Sequence, residues 1–128
     1  MKTTLPETIS CMSPQFVVSD LDKSLQFYTE ELAFDINFRY EDFYAGIGCN
    51  GHSIHLKTGS PAKEERERRR KDEDLDIYFG VTDIESYYEN ILSRDIEVIQ
   101  HLREMPYGKE FYIIDPDGYI LGFMDVTE

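Results

Sequence analysis

The sequence predicts an α+β fold, a single domain over residues 1–128 built from two tandem β-α-β-β-β modules, and three observations support this prediction. The segment Val-Ser-Asp-Leu-Asp at 18–22 recurs as Val-Thr-Asp-Ile-Glu at 81–85, 63 positions later. An alternating apolar run precedes each copy, and an amphipathic helical pattern follows each copy. An internal match over this distance indicates two copies of one structural unit.

The first module covers residues 13–57 and opens with a strand at 13–19. Asp20 can then accept a hydrogen bond from the first turn of a helix. Four apolar residues follow it at helical spacing: Leu21, Leu25, Tyr28 and Leu32. Apolar and polar residues next alternate in three short runs that predict strands: 34–40, 43–48 and 53–57. Asn50 and Gly51, before the last run, predict a tight hairpin because both tolerate a positive φ.

A charged linker, residues 58–74, separates the modules. Every residue from 63 to 74 is charged, with six basic and six acidic side chains. A helix of this composition has no apolar face to bury. We therefore expect a solvated linker that is helical in part. The alternative interpretation is a lid, or a segment that docks a partner.

The second module covers residues 75–126 in the same order. Its first strand, 75–81, places four apolar residues on one face: Leu75, Ile77, Phe79 and Val81. Asp83 caps a helix that carries an apolar stripe: Ile84, Tyr87, Tyr88, Ile91 and Leu92. Three strands complete the module: 97–103, 109–114 and 119–126. The sequence Asp-Pro-Asp-Gly at 115–118 predicts a tight turn, since proline presets one backbone angle and glycine permits a positive φ.

The composition limits the partners and the compartment. The formal net charge is -13, whereas nucleic acids and anionic membranes both attract basic surfaces. We therefore expect neither as a partner. Cys11 and Cys49 are the only cysteines, and the first 15 residues contain no long apolar run. These features predict reduced thiols in a cytoplasmic protein without a signal sequence or a transmembrane span.

Two segments resemble the signatures of a known family. Residues 18–28, Val-Ser-Asp-Leu-Asp-Lys-Ser-Leu-Gln-Phe-Tyr, resemble the opening signature of the vicinal oxygen chelate superfamily. Residues 111–119, Phe-Tyr-Ile-Ile-Asp-Pro-Asp-Gly-Tyr, resemble its closing signature. The superfamily contains glyoxalase I, bleomycin-resistance proteins, fosfomycin-resistance enzymes and extradiol dioxygenases. The resemblance covers residues 13–128 and implies two curled sheets around a U-shaped cavity, the glyoxalase/bleomycin resistance fold, in a homodimer.

The resemblance also implies where a metal ion would bind. Metal-dependent members place four ligands, usually His or Glu, on the first and last strands of each module. The corresponding positions in this sequence are Ser13, His55, Asp76 and Gly122. Glycine has no ligating side chain and serine is a poor ligand for zinc or iron, so only His55 and Asp76 remain as candidates. Because catalytic sites usually have three protein ligands, we expect no metal and no other cofactor.

Strand alternation predicts which residues line the cavity, because the polar face of each strand lies opposite the apolar face that packs under the helices. The predicted ligand-binding residues are Ser13, Gln15, His55, Asp76, Tyr78, Tyr112, Gly122 and Met124. Aromatic walls could come from Phe43, Tyr44 and Tyr107. A carboxylate next to a histidine would favour the cationic ring, so His55 and Asp76 together could anchor a ligand. The alternative is two ordinary polar residues on a solvated face. His101 is expected at the surface, without an assigned partner.

These features favour a metal-independent protein of the bleomycin-resistance type, which binds or sequesters a small organic molecule and belongs among antibiotic-resistance proteins. No catalytic residue is predicted, and whether the protein is an enzyme stays open. One alternative is a metal-dependent lyase, isomerase or dioxygenase in which His55, Asp76 and water hold the ion. Another is a partner-binding module that uses the charged residues 63–74.

Overall fold

Residues 8–126 are described by a computed structural model, in which two four-stranded mixed sheets each carry a helix on one face. The elements of the first module are β1 (Gln15–Val18), α1 (Leu21–Gln26), β2 (Asp35–Tyr40), β3 (Tyr44–Cys49) and β4 (His52–Thr58). A π-helical turn, Phe27–Glu31, continues α1. The strand order is β1-β4-β3-β2, with β1 parallel to β4 and the other pairs antiparallel.

The second module repeats this arrangement after a helix between the modules, α2 (Lys63–Asp72). Its elements are β5 (Ile77–Val81), α3 (Ile84–Leu92), β6 (Glu97–Met105), β7 (Gly108–Ile114) and β8 (Ile120–Asp125). The strand order is β5-β8-β7-β6, and β5 is parallel to β8. The predicted α+β fold of two β-α-β-β-β modules is therefore confirmed.

The local signals in the sequence act at the expected residues. The Asp20 side chain accepts a hydrogen bond from the backbone N–H of Lys23 at 3.1 Å. Asp83 accepts one in the same way from the N–H of Ser86 at 3.3 Å. Asn50 adopts a φ of 51° in the hairpin between β3 and β4. Both predicted helix caps and the predicted hairpin are confirmed.

The core lies between each sheet and its helix. On β4, Ile54 and Leu56 are buried in this core, whereas Ser53, His55 and Lys57 alternate with them and face the other way. The face of each sheet opposite its own helix is called the cavity face below. The alternation of β4 thus gives the first sheet a cavity face that is mostly polar.

The cysteines and the helices bear on the predicted compartment. Cys11 and Cys49 are exposed free thiols. None of the helices within residues 8–126 is long and apolar enough to cross a membrane. Residues 1–7 and 127–128 of the predicted domain lie outside the described residues.

Two details differ from the expectations for the linker and for the second module. The charged run is helical in part but not simply solvated, because the Arg66 side chain on α2 is only 12% exposed. Leu75 does not share the core face with Ile77, since β5 begins at Ile77 and Leu75 lies over Gly122 of β8 on the cavity face. Both differences arise from contacts of the buried carboxylate of Asp76.

The segments that carry the family resemblance also join the two modules. Tyr28 donates a hydrogen bond from its hydroxyl to Asp115 at 2.8 Å. The Tyr119 hydroxyl donates to the carbonyl oxygen of Val17 and accepts from its N–H, both at 2.9 Å. The Tyr119 ring stacks on Phe16 with 4.2 Å between centroids. The two signatures therefore determine how one module packs on the other.

Asp115 is buried at this junction and carries an ionisable group. It accepts hydrogen bonds from Tyr28 and from the backbone N–H groups of Asp117 and Tyr119. Burial raises the pKa of its carboxyl from 3.8 to about 6, by more than these hydrogen bonds lower it. Between about pH 4 and pH 6, the folded protein therefore holds a proton that the unfolded chain has released, so stability falls as the pH rises through this interval.

We predict that Asp115→Asn removes this pH dependence. In urea unfolding, the stability of the variant relative to the wild type should increase by roughly 2 kcal/mol between about pH 4 and pH 7. Asp42→Asn controls for the loss of one carboxylate, because that side chain is 93% exposed. Parallel stability curves for the wild type and Asp115→Asn would contradict the prediction.

Candidate functional site

A chain of hydrogen bonds crosses the cavity face of the first sheet. Gln15 on β1 pairs with His55 on β4, and Gly46 on β3 pairs with His55 from the other side. The Gln15 amide donates to the Tyr44 hydroxyl at 3.2 Å, and this hydroxyl is bonded to Nδ1 of His55 at 2.8 Å. The other ring nitrogen of His55, Nε2, has no hydrogen-bond partner among the described residues. The Tyr44 hydroxyl therefore fixes one edge of the His55 ring and leaves the other edge without a protein partner among these residues.

Aromatic rings surround this polar chain. Phe38 meets the His55 ring edge-on at 5.3 Å and stacks on Tyr44 at 6.0 Å. A side chain at Gly46 would collide with the Phe38 ring, so glycine is required for this packing. Tyr40 and Phe43 stack on each other next to Phe38 and are both more than half exposed. The first cavity face thus combines fixed polar atoms with exposed aromatic surface, as small-molecule sites commonly do.

Ser13 lies at the edge of the same face, just before β1. Its hydroxyl is hydrogen-bonded to the hydroxyl of Ser53 on β4. The structure therefore brings Ser13, Gln15 and His55 of the predicted ligand-binding residues to one sheet. It does not bring Asp76 into contact with them.

The second cavity face is organised around a carboxylate that the sequence analysis did not identify. The Glu110 side chain is fully buried and accepts hydrogen bonds from Arg103 at 2.8 Å, Tyr107 at 2.6 Å and Tyr112 at 3.0 Å. Burial alone would raise the pKa of Glu110, but these donors outweigh it and lower the pKa below its ordinary value. The signal in the sequence was the spacing of Glu110 and Tyr112, which places both on one face of β7.

The remaining predicted residues lie beside this cluster. Tyr78, Gly122 and Tyr112 are cross-strand neighbours on β5, β8 and β7, and Met124 is paired with Glu110. Tyr78 is 51% exposed, whereas Tyr112 is 5% exposed. Burial raises the pKa of Tyr112, and its hydrogen bond to Glu110 adds to the effect. Tyr112 is therefore part of the buried Glu110 cluster, whereas the Tyr78 side chain is accessible at the surface.

Asp76 is bonded to the linker helix and not to His55. One carboxylate oxygen accepts from Arg66 at 2.6 Å and from the backbone N–H of Ile120 at 2.8 Å. The other lies 3.5 Å from Arg69. Arg66 also lies over the Tyr119 ring at 4.1 Å. The Asp76 side chain is only 8% exposed, and its charge is paired with arginines of the same chain.

Three further features complete the survey of predicted residues. Two clefts of about 470 and 480 Å³ meet at Asp115 and Pro116, have mostly charged walls and contain none of the predicted ligand-binding residues. Tyr107 and Phe43 are both exposed. His101 is exposed as expected, but it has a partner, since Nδ1 is bonded to the Tyr88 hydroxyl at 2.5 Å.

The paired modules and their signatures agree with a sequence comparison. A family model described as "Glyoxalase/Bleomycin resistance protein/Dioxygenase superfamily" matches residues 11–123. The chain belongs to this superfamily. The resemblance to vicinal oxygen chelate proteins is thereby confirmed. No protein of curated function matches the sequence.

Solved structures of other proteins share the fold. TioX from Micromonospora sp. ML1 is 14% identical with a TM-score of 0.72, over 91% of this chain and 98% of that chain. The bleomycin-binding protein of bleomycin-producing Streptomyces verticillus, solved with copper(II)-bleomycin, is 18% identical with a TM-score of 0.67, over 94% and 98%. The fosfomycin resistance protein FosX from Listeria monocytogenes is 16% identical with a TM-score of 0.69, over 93% and 94%. At these identities the similarity shows the fold alone.

The four positions at which the superfamily resemblance implies metal ligands do not fit a divalent cation. Ser13 is bonded to Ser53, and Asp76 is bonded to two arginines. Gly122 is covered by Leu75, whose methyl carbon lies 2.5 Å from where a β-carbon at Gly122 would stand. Within residues 8–126, no group of three His, Cys, Asp or Glu side chains is placed to hold a metal ion.

We predict that Asp76 contributes to stability through its ion pair with Arg66. Asp76→Asn should lower the free energy of unfolding by about 3 kcal/mol, because it leaves a nearly buried arginine without its counter-ion. Asp74→Asn is the matched control, since Asp74 pairs with Arg68 and both side chains are about half exposed. The control should cost about 0.5 kcal/mol or less. Equal urea midpoints for the two variants would contradict the structural role of Asp76.

Proposed function

We propose that this protein binds a small organic molecule on the cavity face of its first sheet, without a metal ion. The observation that carries the proposal is the hydrogen-bonded chain of Gln15, Tyr44 and His55 set among aromatic rings. Nε2 of His55 is available to a polar group of the ligand, while Phe38 and Tyr40 offer surfaces on which an aromatic group can stack. The net charge of -13 favours a neutral or cationic ligand.

The similar proteins support binding of this kind. One is a bleomycin-binding protein and another a fosfomycin resistance protein, by their names. Sequestration requires a shaped and partly apolar surface but no chelate, which agrees with the residues at the four metal positions. We therefore propose sequestration as the activity, and Ser13, Gln15 and His55 as its polar contacts.

We also propose that the site is completed in a homodimer in the cytoplasm. Tyr40, Phe43 and Tyr78 are large side chains that a single chain leaves more than half exposed. Tyr40 and Phe43 stack on each other at the first sheet, and exposed aromatic surface of this kind is typical of an interface or a ligand groove. A second copy facing the first cavity face would turn this open surface into an enclosed pocket. Tyr78 and Met124 on the second sheet would then be within the same assembly.

We predict that ligand binding depends on His55. In a thermal-shift screen of neutral and cationic aromatic compounds, a ligand should raise the Tm of the wild type. His55→Gln should weaken the affinity for that ligand by about tenfold, since a hydrogen bond to the ring nitrogen is lost. His101→Gln is the matched control, because His101 is also bonded through Nδ1 to a tyrosine hydroxyl but lies outside the first sheet. Equal losses in both variants, or no compound that shifts the Tm, would count against the proposal.

We predict that the protein is isolated without a stoichiometric transition metal. Elemental analysis after purification without chelator should find less than about 0.2 equivalents of manganese, iron, cobalt, nickel, copper or zinc. The reason is that only His55, of the four positions, has a free ligating atom. About one equivalent of metal in the wild type and in His101→Gln, lost in His55→Gln, would instead support the metal-dependent alternative.

A further inference from the structure

The chain between α2 and β5 crosses the cavity face of the second sheet. Helix α2 ends at Asp72, and the residue that caps it, Glu73, adopts a left-handed conformation with a φ of 58°. This conformation is unfavourable for a residue other than glycine. It turns the chain so that Glu73 contacts Arg103 of β6 and Leu75 contacts Gly122 of β8. Asp76 then fixes the end of this segment through Arg66 and Ile120.

Two side chains of the segment contact the sheet as a bound molecule would. Leu75 fills the space above Gly122, where its methyl carbons lie 2.5 and 2.9 Å from the point that a β-carbon on this glycine would occupy. Glu73 forms an ion pair with Arg103 at 2.9 Å. Gly122 thus provides a hollow for an aliphatic group, and Arg103 provides a cation for a carboxylate.

Arg103 is held in place whether or not Glu73 is present. Its guanidinium contacts the fully buried Glu110 at 2.7 and 2.8 Å and the Tyr112 hydroxyl at 3.4 Å. Glu73 and Arg103 are 46% and 31% exposed, so water and salt compete with their pairing. The Glu73 contact is therefore weaker than the contact between Arg103 and the buried Glu110.

We propose that the second cavity face is a binding site for a small carboxylic acid with a branched aliphatic group, and that Glu73 and Leu75 occupy this site as an internal substitute for the ligand. The carboxylate of the ligand takes the position of Glu73 on Arg103, and its alkyl group takes the position of Leu75 over Gly122. In either arrangement Arg103 is paired with Glu110 and with one further carboxylate. The inference rests on the proposed function only in assuming that cavity faces bind ligands.

The test compares 4-methylpentanoate with 4-methylpentanamide as probes, each titrated into the full chain and followed by NMR. The double variant Glu73→Gln/Leu75→Ala should bind the acid at least about tenfold more tightly than the wild type does, because the internal competitor is removed. The amide should gain much less, since it cannot form the ion pair with Arg103. The control variant Glu64→Gln/Leu92→Ala removes an exposed glutamate and an exposed leucine elsewhere and should behave as the wild type.

The outcomes separate this inference from the proposed function. His55→Gln added to the double variant should leave acid binding unchanged, whereas it weakens ligands of the first sheet. Equal affinity of wild type and double variant for the acid would overturn the inference, as would equal gains for acid and amide. If urea unfolding shows that the double variant is not folded, Glu73→Gln alone decides: it must bind the acid about threefold more tightly than the wild type, and no gain contradicts the inference.

Discussion

The ion pair between Asp76 and Arg66 holds the linker against the second module, where the neighbouring Leu75 covers Gly122 on the cavity face. Asp76 receives donors from two separate elements, the arginines of α2 and the N–H of Ile120 on β8. With side chains only 8% and 12% exposed, this pair is shielded from water and salt. Helix α2, which has no buried residue, is therefore held to the second module by charge and not by an apolar stripe.

The two modules share a backbone arrangement but differ in their cavity faces. On the first sheet, the Gln15, Tyr44 and His55 chain is partly exposed, and aromatic rings extend from it. On the second, Glu110 is fully buried, and the chain's own Leu75 lies over Gly122. A side chain that would chelate in a metal-dependent relative here contacts protein atoms, as at Ser13 and Asp76, or is missing, as at Gly122. The duplicated scaffold therefore carries two unlike cavity faces.

The sequence predicts the fold well because its signals are local. The aspartates that cap α1 and α3, the Asn50-Gly51 hairpin and the alternation along β4 all act within a few residues of their own position. The position of the linker could not be predicted in this way. Equal numbers of acidic and basic residues indicate a solvated segment, and the buried carboxylate that binds the linker, Asp76, lies outside the charged run. Only the tertiary structure shows that β5 begins after Asp76, and that Leu75 therefore lies over Gly122 and not on the core face of β5. Glu110 was missed because its cluster depends on the register of the β6–β7 hairpin, which places Arg103 directly opposite Glu110 and brings the Tyr107 hydroxyl to it.

We propose that the cavity faces hold an organic molecule and not a metal chelate. The most direct test of this proposal is a crystal structure of protein purified without chelator and grown with a stabilising ligand, with anomalous data for the transition metals. We expect ligand density stacked on Phe38 and bonded to Nε2 of His55, with no anomalous peak nearby. An anomalous peak about 2.0–2.2 Å from both His55 and the Asp76 carboxylate would contradict it.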